Sequence, residues 1–239
     1  MSKIRAFIPN FITLMNLLSG CIAIYFVLVK GDFTGASWMI VIAGIFDLFD
    51  GSVARLLRVQ SSIGADLDSL SDLVSFGVAP SFLLFEYVRG GELENSFFWA
   101  LPAFSIALFA AYRLAKFNND TRQSTSFIGL PVPANALFWI GIVAVLPQVE
   151  CCFSTIALIM GLYGLLLLMG WAMISEIHLQ SFKVHFPITL KEDRERLFFA
   201  LVLIVLGVVT CFLWGWGGVS VVIVAYFAGS LIMGKKKDK

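Results

Sequence analysis

The sequence predicts an all-α fold, a polytopic membrane helical bundle with about eight transmembrane helices. Of its 239 residues, 59% are hydrophobic and only 14% are charged, whereas a soluble domain carries roughly 25% charged residues. Mean hydropathy is +0.89, and several apolar runs have the length of about 20 residues that crosses a bilayer. We therefore expect the chain to lie in a lipid bilayer and to have no nucleic acid as a partner.

Eight apolar spans follow one another along the chain. The first three contain polar residues, so their ends are the least sharply defined, and the later ones are more uniformly apolar. The first span is long and lacks a small-residue cleavage site, which predicts direct insertion rather than a cleaved signal peptide. The predicted spans cover about residues 6–29, 35–57, 68–88, 96–116, 132–149, 154–175, 196–213 and 216–234.

Lysine and arginine residues predict the orientation of these spans. With both termini placed in the cytoplasm, 15 of the 17 basic residues fall in cytoplasmic segments, including the run of lysines from Lys235 to Lys239. The opposite side holds only Lys30 and Arg89. Because cytoplasmic loops are enriched in Lys and Arg, we expect an integral protein of the inner or cell membrane with cytoplasmic termini.

Four aspartates at helical spacing lie around the junction of the second and third spans. Asp47 and Asp50 are three residues apart and share one helix face, and Asp68 and Asp72 are four apart and share a face of the next helix. Two helices that offer two carboxylates each would form an oxygen cage suited to Mg²⁺ or Mn²⁺. Structural ion pairing is the weaker alternative, since few basic residues are at hand and intramembrane acids mark functional sites by default.

Polar residues also line the first span. Asn10, Thr13 and Asn16 recur every three residues and so lie on one side of that helix. Two interpretations stay open for them: hydrogen bonds between helices and contact with a substrate.

The stretch from Asp47 to Asp72 resembles the signature of the CDP-alcohol phosphatidyltransferase family. It matches D-x-x-D-G-x-x-A-R-x(8)-G-x-x-x-D-x-x-x-D at all eight fixed positions. Within that family, segments 8–13, 75–80, 113–118 and 127–134 are similar to the phosphatidylserine synthase branch. The resemblance implies a six-helix catalytic core over residues 1–190, followed by two additional helices and a basic tail over residues 191–239.

The resemblance also implies an activity and a set of site residues. The donor would be CDP-diacylglycerol, the acceptor L-serine and the leaving group CMP, with two divalent cations, Mg²⁺ or Mn²⁺. Metal would be held by Asp47, Asp50, Asp68 and Asp72, of which Asp72 would also act as general base on the acceptor hydroxyl. The residues implied in donor binding are Asn10, Thr13, Asp50, Gly51, Ala54, Arg55, Gly64 and Asp68.

The cations available for a serine carboxylate are Arg113 and Lys116, with Asn118 beside them. The branch usually has Arg in place of Lys116, and Lys lacks the bidentate fork of Arg. The positive-inside rule alone also explains basic residues at this end of a span. A homodimer is one assembly that the resemblance allows.

Two functions other than phosphatidylserine synthesis remain open. A sister enzyme would use glycerol 3-phosphate or an inositol phosphate, and its acceptor phosphate would favour a denser arginine cluster. A cation transporter would spread its acids across the membrane depth, whereas these four cluster toward one side.

Overall fold

α-Helices make up most of the chain in a computed structural model that describes residues 2–57, 62–91, 93–119, 127–179 and 191–234. Two short strands, β1 (Phe127–Ile128) and β2 (His178–Leu179), pair antiparallel. The helices are α1 (Ser2–Tyr25), α2 (Phe33–Leu57), α3 (Ser62–Asp72), α4 (Ala79–Arg89), α5 (Ser96–Ala100), α6 (Ser105–Asn119), α7 (Val132–Val149), α8 (Thr155–Ile174), α9 (Lys191–Trp214) and α10 (Gly217–Gly234).

The predicted membrane bundle is confirmed, but the count of eight spans is not. Among the described residues, six helical stretches are long and apolar enough to cross a membrane. α2 is not one of them, and Gly217–Ile232 of α10 is a shorter apolar helix. The six are Phe7–Lys30, Ile63–Arg89, Ser96–Asn119, Val132–Val149, Thr155–Ile174 and Leu197–Trp214.

Large apolar side chains cover much of the outer surface. Leu56, Phe212 and Ile232 are among those with more than two thirds of their surface exposed. In water such a surface would mark an interaction site or an aggregation hazard, whereas the hydrocarbon of a bilayer solvates it.

α1 lies against both helices that carry the aspartates. Gly20 of α1 makes the approach close: a Cβ added there would lie 2.4 Å from Ser75 Oγ and 2.8 Å from Ser75 Cα. The Ser75 hydroxyl donates a hydrogen bond of 2.9 Å to the carbonyl of Asn16. Small residues at such contacts let helix backbones approach in membranes, so the register of α1 against the 73–78 segment is fixed.

The helix that carries Asp68 and Asp72 changes its winding directly after Asp72. α3 continues into a π-helical segment, Leu73–Val78, and then into α4. π-Helical turns insert extra residues into a helix and often occur at functional sites. The whole helical stretch runs from Ile63 to Arg89. The predicted third span of 68–88 is thus too short, chiefly at its start.

The last two helices form a tight hairpin. A Cβ added to Gly218 of α10 would lie 2.4 Å from the carbonyl carbon of Thr210 in α9. The Ser220 hydroxyl joins this hairpin to α7 by donating a hydrogen bond of 2.6 Å to the Phe138 carbonyl. The division into a catalytic core of residues 1–190 and two additional helices with a basic tail over residues 191–239 stays a prediction. The basic tail, Lys235–Lys239, lies outside the described residues.

Candidate active site

Three aspartates from two helices meet at one point. Asp47 and Asp50 lie on α2 and Asp68 on α3, and each offers a carboxylate oxygen within 4.8 Å of those of the other two. Asp72, one turn beyond Asp68, lies close enough to all three for electrostatic repulsion. The two pairs of acids that helical spacing places on single faces thus converge in the folded chain.

The donor set of this acidic cluster fits a hard divalent cation. Asp50 is 6% exposed, and the Oδ1 atom of Asp68 is buried without a hydrogen-bond partner among the described residues. A buried carboxylate oxygen without a partner costs free energy unless a cation or a donor reaches it. Asp47, Asp50 and Asp68 could therefore hold such a cation through carboxylate oxygens.

α1 contributes a hydrogen bond to each of the acidic helices. The hydroxyl of Thr13, which is 4% exposed, lies 2.6 Å from Asp50 Oδ2, and the amide Nδ2 of Asn16 donates to Asp72 Oδ1 over 3.1 Å. Hydrogen bonding between helices, one of the two interpretations of this polar stripe, therefore occurs at both residues. Asn10, one turn earlier, is half-buried.

Among the small residues of the signature, Gly51 leaves open space. Gly51 is exposed, and a Cβ added there would meet no atom within 4 Å. Ala54 and Gly64 are half-buried. Arg55 is exposed and curls back along α2, where its Nε donates a hydrogen bond of 3.0 Å to the Gly51 carbonyl.

The two candidate cations of α6 have different surroundings. Arg113 is 8% exposed, is attracted electrostatically by Asp72, and has an Nε atom without a partner among the described residues. Its guanidinium carbon lies 5.8 Å from the centre of the Phe117 ring. Lys116 instead contacts the end of α8, with Nζ 3.2 Å from the Ile174 carbonyl and 3.4 Å from Glu176 Oε1.

Asn118 faces α3 rather than the acids themselves. Its Nδ2 donates a hydrogen bond of 2.8 Å to the hydroxyl of Ser69, the residue after Asp68. Of the three residues predicted to bind serine, Arg113 is the one that interacts electrostatically with Asp72 among the described residues, without forming a direct ion pair with it. The roles of Lys116 and Asn118 at a serine stay predictions.

The sequence pattern does not reveal two contacts in this region. Asn16 belongs to the polar stripe of α1, but its pairing with Asp72 spans 56 residues of chain, and no local pattern reveals such a partner. Ser69 was not singled out, although its place between Asp68 and Asp72 on one helix is a signal that could have found it.

The chain matches known proteins along most of its length. The family model for CDP-alcohol phosphatidyltransferase matches residues 6–177. A CDP-diacylglycerol–serine O-phosphatidyltransferase of Helicobacter pylori is 36% identical over 180 residues, which are 73% of this chain and 72% of that protein. One from Bacillus subtilis is 33% identical over 189 residues, 79% of this chain and 98% of that protein.

An archaeal relative carries a different name. The archaetidylserine synthase of Methanothermobacter thermautotrophicus is 34% identical over 139 residues, which are 56% of this chain and 58% of that protein. The family model covers well over half of the chain and includes the whole acidic cluster. The chain therefore belongs to the CDP-alcohol phosphatidyltransferase family.

Proposed function

We propose that this protein transfers the phosphatidyl group of CDP-diacylglycerol to the hydroxyl of L-serine and releases CMP. The relatives from Helicobacter pylori and Bacillus subtilis carry the name of that reaction, and serine also appears in the name of the archaeal relative. The structural observation that carries the proposal is the convergence of Asp47, Asp50 and Asp68 beside Asp72 and the buried Arg113. A phosphoryl-transfer site needs such a place for cations and for an acceptor.

The acidic cluster is the proposed metal site, with Asp47, Asp50 and Asp68 as ligands and Asp72, the fourth ligand that the resemblance implies, at its edge. The family and the acidic triad suggest divalent cations, and Mg²⁺ or Mn²⁺ are the ions proposed. When bound, they would neutralise charge on the pyrophosphate of the donor and on the departing CMP. Thr13 holds Asp50 in place from α1 through its hydroxyl.

Asp72 is the proposed general base. Its carboxylate accepts the proton of the serine hydroxyl as the serine oxygen forms a bond to the phosphorus that carries diacylglycerol. The bond from that phosphorus to the CMP oxygen breaks, and CMP leaves with the bonding electrons. Arg113, which is attracted by Asp72, is the cation best placed to hold the serine carboxylate nearby.

The nucleotide of the donor is proposed to lie over the open side of α2 next to Gly51. Because a Cβ at this position would meet no protein atom within 4 Å, the space is free for a ligand. Ala54 and Gly64, the other small residues of the signature, and the positive charge of Arg55 are proposed to belong to the same site. Asn10 and Thr13 are proposed to complete the donor site from α1.

The site is proposed to open toward the cytoplasm. The protein is an integral membrane protein, as the six long apolar helices among the described residues indicate. The excess of Lys and Arg at one side supports an inner or cell membrane orientation with both termini and the acidic cluster at the cytoplasmic face. A homodimer stays a prediction.

The proposed activity is tested by measuring CMP release from the purified protein in detergent micelles. With CDP-diacylglycerol and Mg²⁺ or Mn²⁺ present, release is expected to depend on L-serine. Glycerol 3-phosphate and an inositol phosphate serve as competing acceptors. Release that depends on either of these and not on serine would assign the protein to a sister activity, and no release with any acceptor would refute the proposal.

A further inference from the structure

We propose that Asn16 is a positioning residue that fixes the carboxylate of Asp72 for proton transfer. By donating a hydrogen bond to Oδ1, it would leave Oδ2 as the oxygen that accepts the hydroxyl proton. This inference rests on the proposed function, in which Asp72 is the general base.

The contact between these two residues is buried and well defined. Asn16 is 0% exposed, and its Nδ2 lies 3.1 Å from Asp72 Oδ1. Asp72 is the last residue of α3, and the π-helical segment that follows packs on α1. The hydrogen bond from Ser75 to the Asn16 carbonyl and the close approach at Gly20 hold the two helices in this register.

The oxygen of the Asn16 amide indicates the role of this side chain. Its Oδ1 is buried and has no hydrogen-bond partner among the described residues. An unpaired buried acceptor destabilises a fold, so packing alone would favour an apolar side chain here. Among the described residues, the hydrogen bond to Asp72 is the one interaction that needs an amide at this position.

Asp72 has a second neighbour that the amide complements. Arg113 attracts the carboxylate electrostatically from α6. A point attraction of this kind does not select one carboxylate oxygen, whereas a hydrogen bond is directional. Asn16 would therefore determine the rotation of the carboxylate, while Arg113 supplies charge.

The test is a double-mutant cycle on kcat for serine-dependent CMP release. Asn16→Ala is expected to lower kcat by about ten- to a hundredfold, the factor that one hydrogen bond to a charged group is worth. The KM for serine and the binding of CDP-diacylglycerol are expected to change by less than about threefold, because a positioning residue contacts neither substrate. In the Asp72→Asn background, the same substitution is expected to lower kcat by less than about twofold.

Asn16→Leu gives a second variant that removes the amide without leaving a cavity. It is expected to lose kcat as Asn16→Ala does, and its melting temperature is measured to show that the variant folds. Ser220→Ala, which removes a buried hydrogen bond between α10 and α7, is the control for loss of a helix contact far from the acids. It is expected to retain kcat.

Several results would overturn the inference. Multiplicative effects of Asn16→Ala and Asp72→Asn would make Asn16 a structural residue only. A rise in either KM with unchanged kcat would make it a substrate contact. If the wild-type protein releases CMP with serine and both Asn16 variants are fully active, the positioning role is refuted and the proposed function stays intact. Absence of serine-dependent release in the wild type would instead refute the proposed function.

Discussion

Replacing Arg113 and Lys116 in turn separates the two cations that the sequence offers for a serine carboxylate. Arg113 is 8% exposed and lies under the electrostatic influence of Asp72, so a carboxylate bound there would make a charge-assisted contact in a shielded place. Such a contact is worth roughly 1.5–3 kcal/mol, or about ten- to a hundredfold in affinity. Arg113→Ala is therefore expected to raise the KM for serine by that factor.

Lys116 is expected to matter less for serine. Its side chain is 32% exposed, and its partner Glu176 is 63% exposed. Solvent-exposed ion pairs contribute about 1 kcal/mol or less, which corresponds to no more than about fivefold in affinity. Lys116→Ala is thus expected to change the KM for serine by less than about fivefold, and Lys116→Arg is expected to be tolerated.

The assay measures the initial rate of CMP release. Serine is varied at saturating CDP-diacylglycerol, and CDP-diacylglycerol is then varied at saturating serine. Arg113→Ala is expected to change the KM for CDP-diacylglycerol much less than that for serine, and Arg113→Lys is expected to fall between alanine and wild type, because it keeps charge and loses the fork. An unchanged serine KM in Arg113→Ala would refute this account of acceptor binding. A larger effect from Lys116→Ala than from Arg113→Ala would show that the carboxylate binds elsewhere on α6.

Three further predictions concern the acids and the open side of α2. Treatment with EDTA is expected to abolish CMP release and added Mg²⁺ or Mn²⁺ to restore it, since the clustered carboxylates have few basic side chains nearby to balance their charge. Full activity in chelator would exclude a metal role. Asp72→Asn is expected to lower kcat by about 10² to 10⁴, the usual effect of losing a general base, with CDP-diacylglycerol still bound; turnover near wild type would remove Asp72 from the mechanism. Gly51→Val is expected to keep the melting temperature, because a Cβ at Gly51 meets no atom within 4 Å, and to weaken CDP-diacylglycerol binding at least tenfold; unchanged binding, measured by equilibrium titration, would place the nucleotide elsewhere.

The convergence of the aspartates was predictable from sequence because it depends on local geometry. The spacings of three and four residues place Asp47 with Asp50 and Asp68 with Asp72 on single helix faces, and a short connection brings the two helices together. The bundle was predictable for a similar reason, since apolar runs of about 20 residues can satisfy their backbone in a bilayer only as helices.

Contacts between distant helices could not be predicted in this way. Asn16 was placed on a polar face, but its partner Asp72 lies on another helix. Arg113 and Lys116 lie one turn apart on α6, yet Lys116 contacts the end of α8. A helix end presents unpaired carbonyls that attract a lysine, and which carbonyls come within reach depends on how α6 and α8 pack.

The winding of the third span was also beyond the sequence pattern. Hydropathy predicted its start near residue 68, because the first turns of α3 are polar, but the helix begins at Ser62. The π-helical segment after Asp72 leaves no mark on apolar periodicity, since it changes the hydrogen-bond register without interrupting the helix. Packing of Gly20 against Ser75 accompanies that segment and depends on α1.

The fate of the serine hydroxyl oxygen tests the central claim most directly. L-serine labelled with ¹⁸O in its hydroxyl would be incubated with CDP-diacylglycerol, divalent cation and the purified protein, and both products analysed by mass spectrometry. Attack of the serine oxygen on the phosphorus predicts phosphatidylserine that retains the label and unlabelled CMP, formed in equal amounts. Label-free phosphatidylserine, or CMP formed with phosphatidic acid and no serine lipid, would contradict the account.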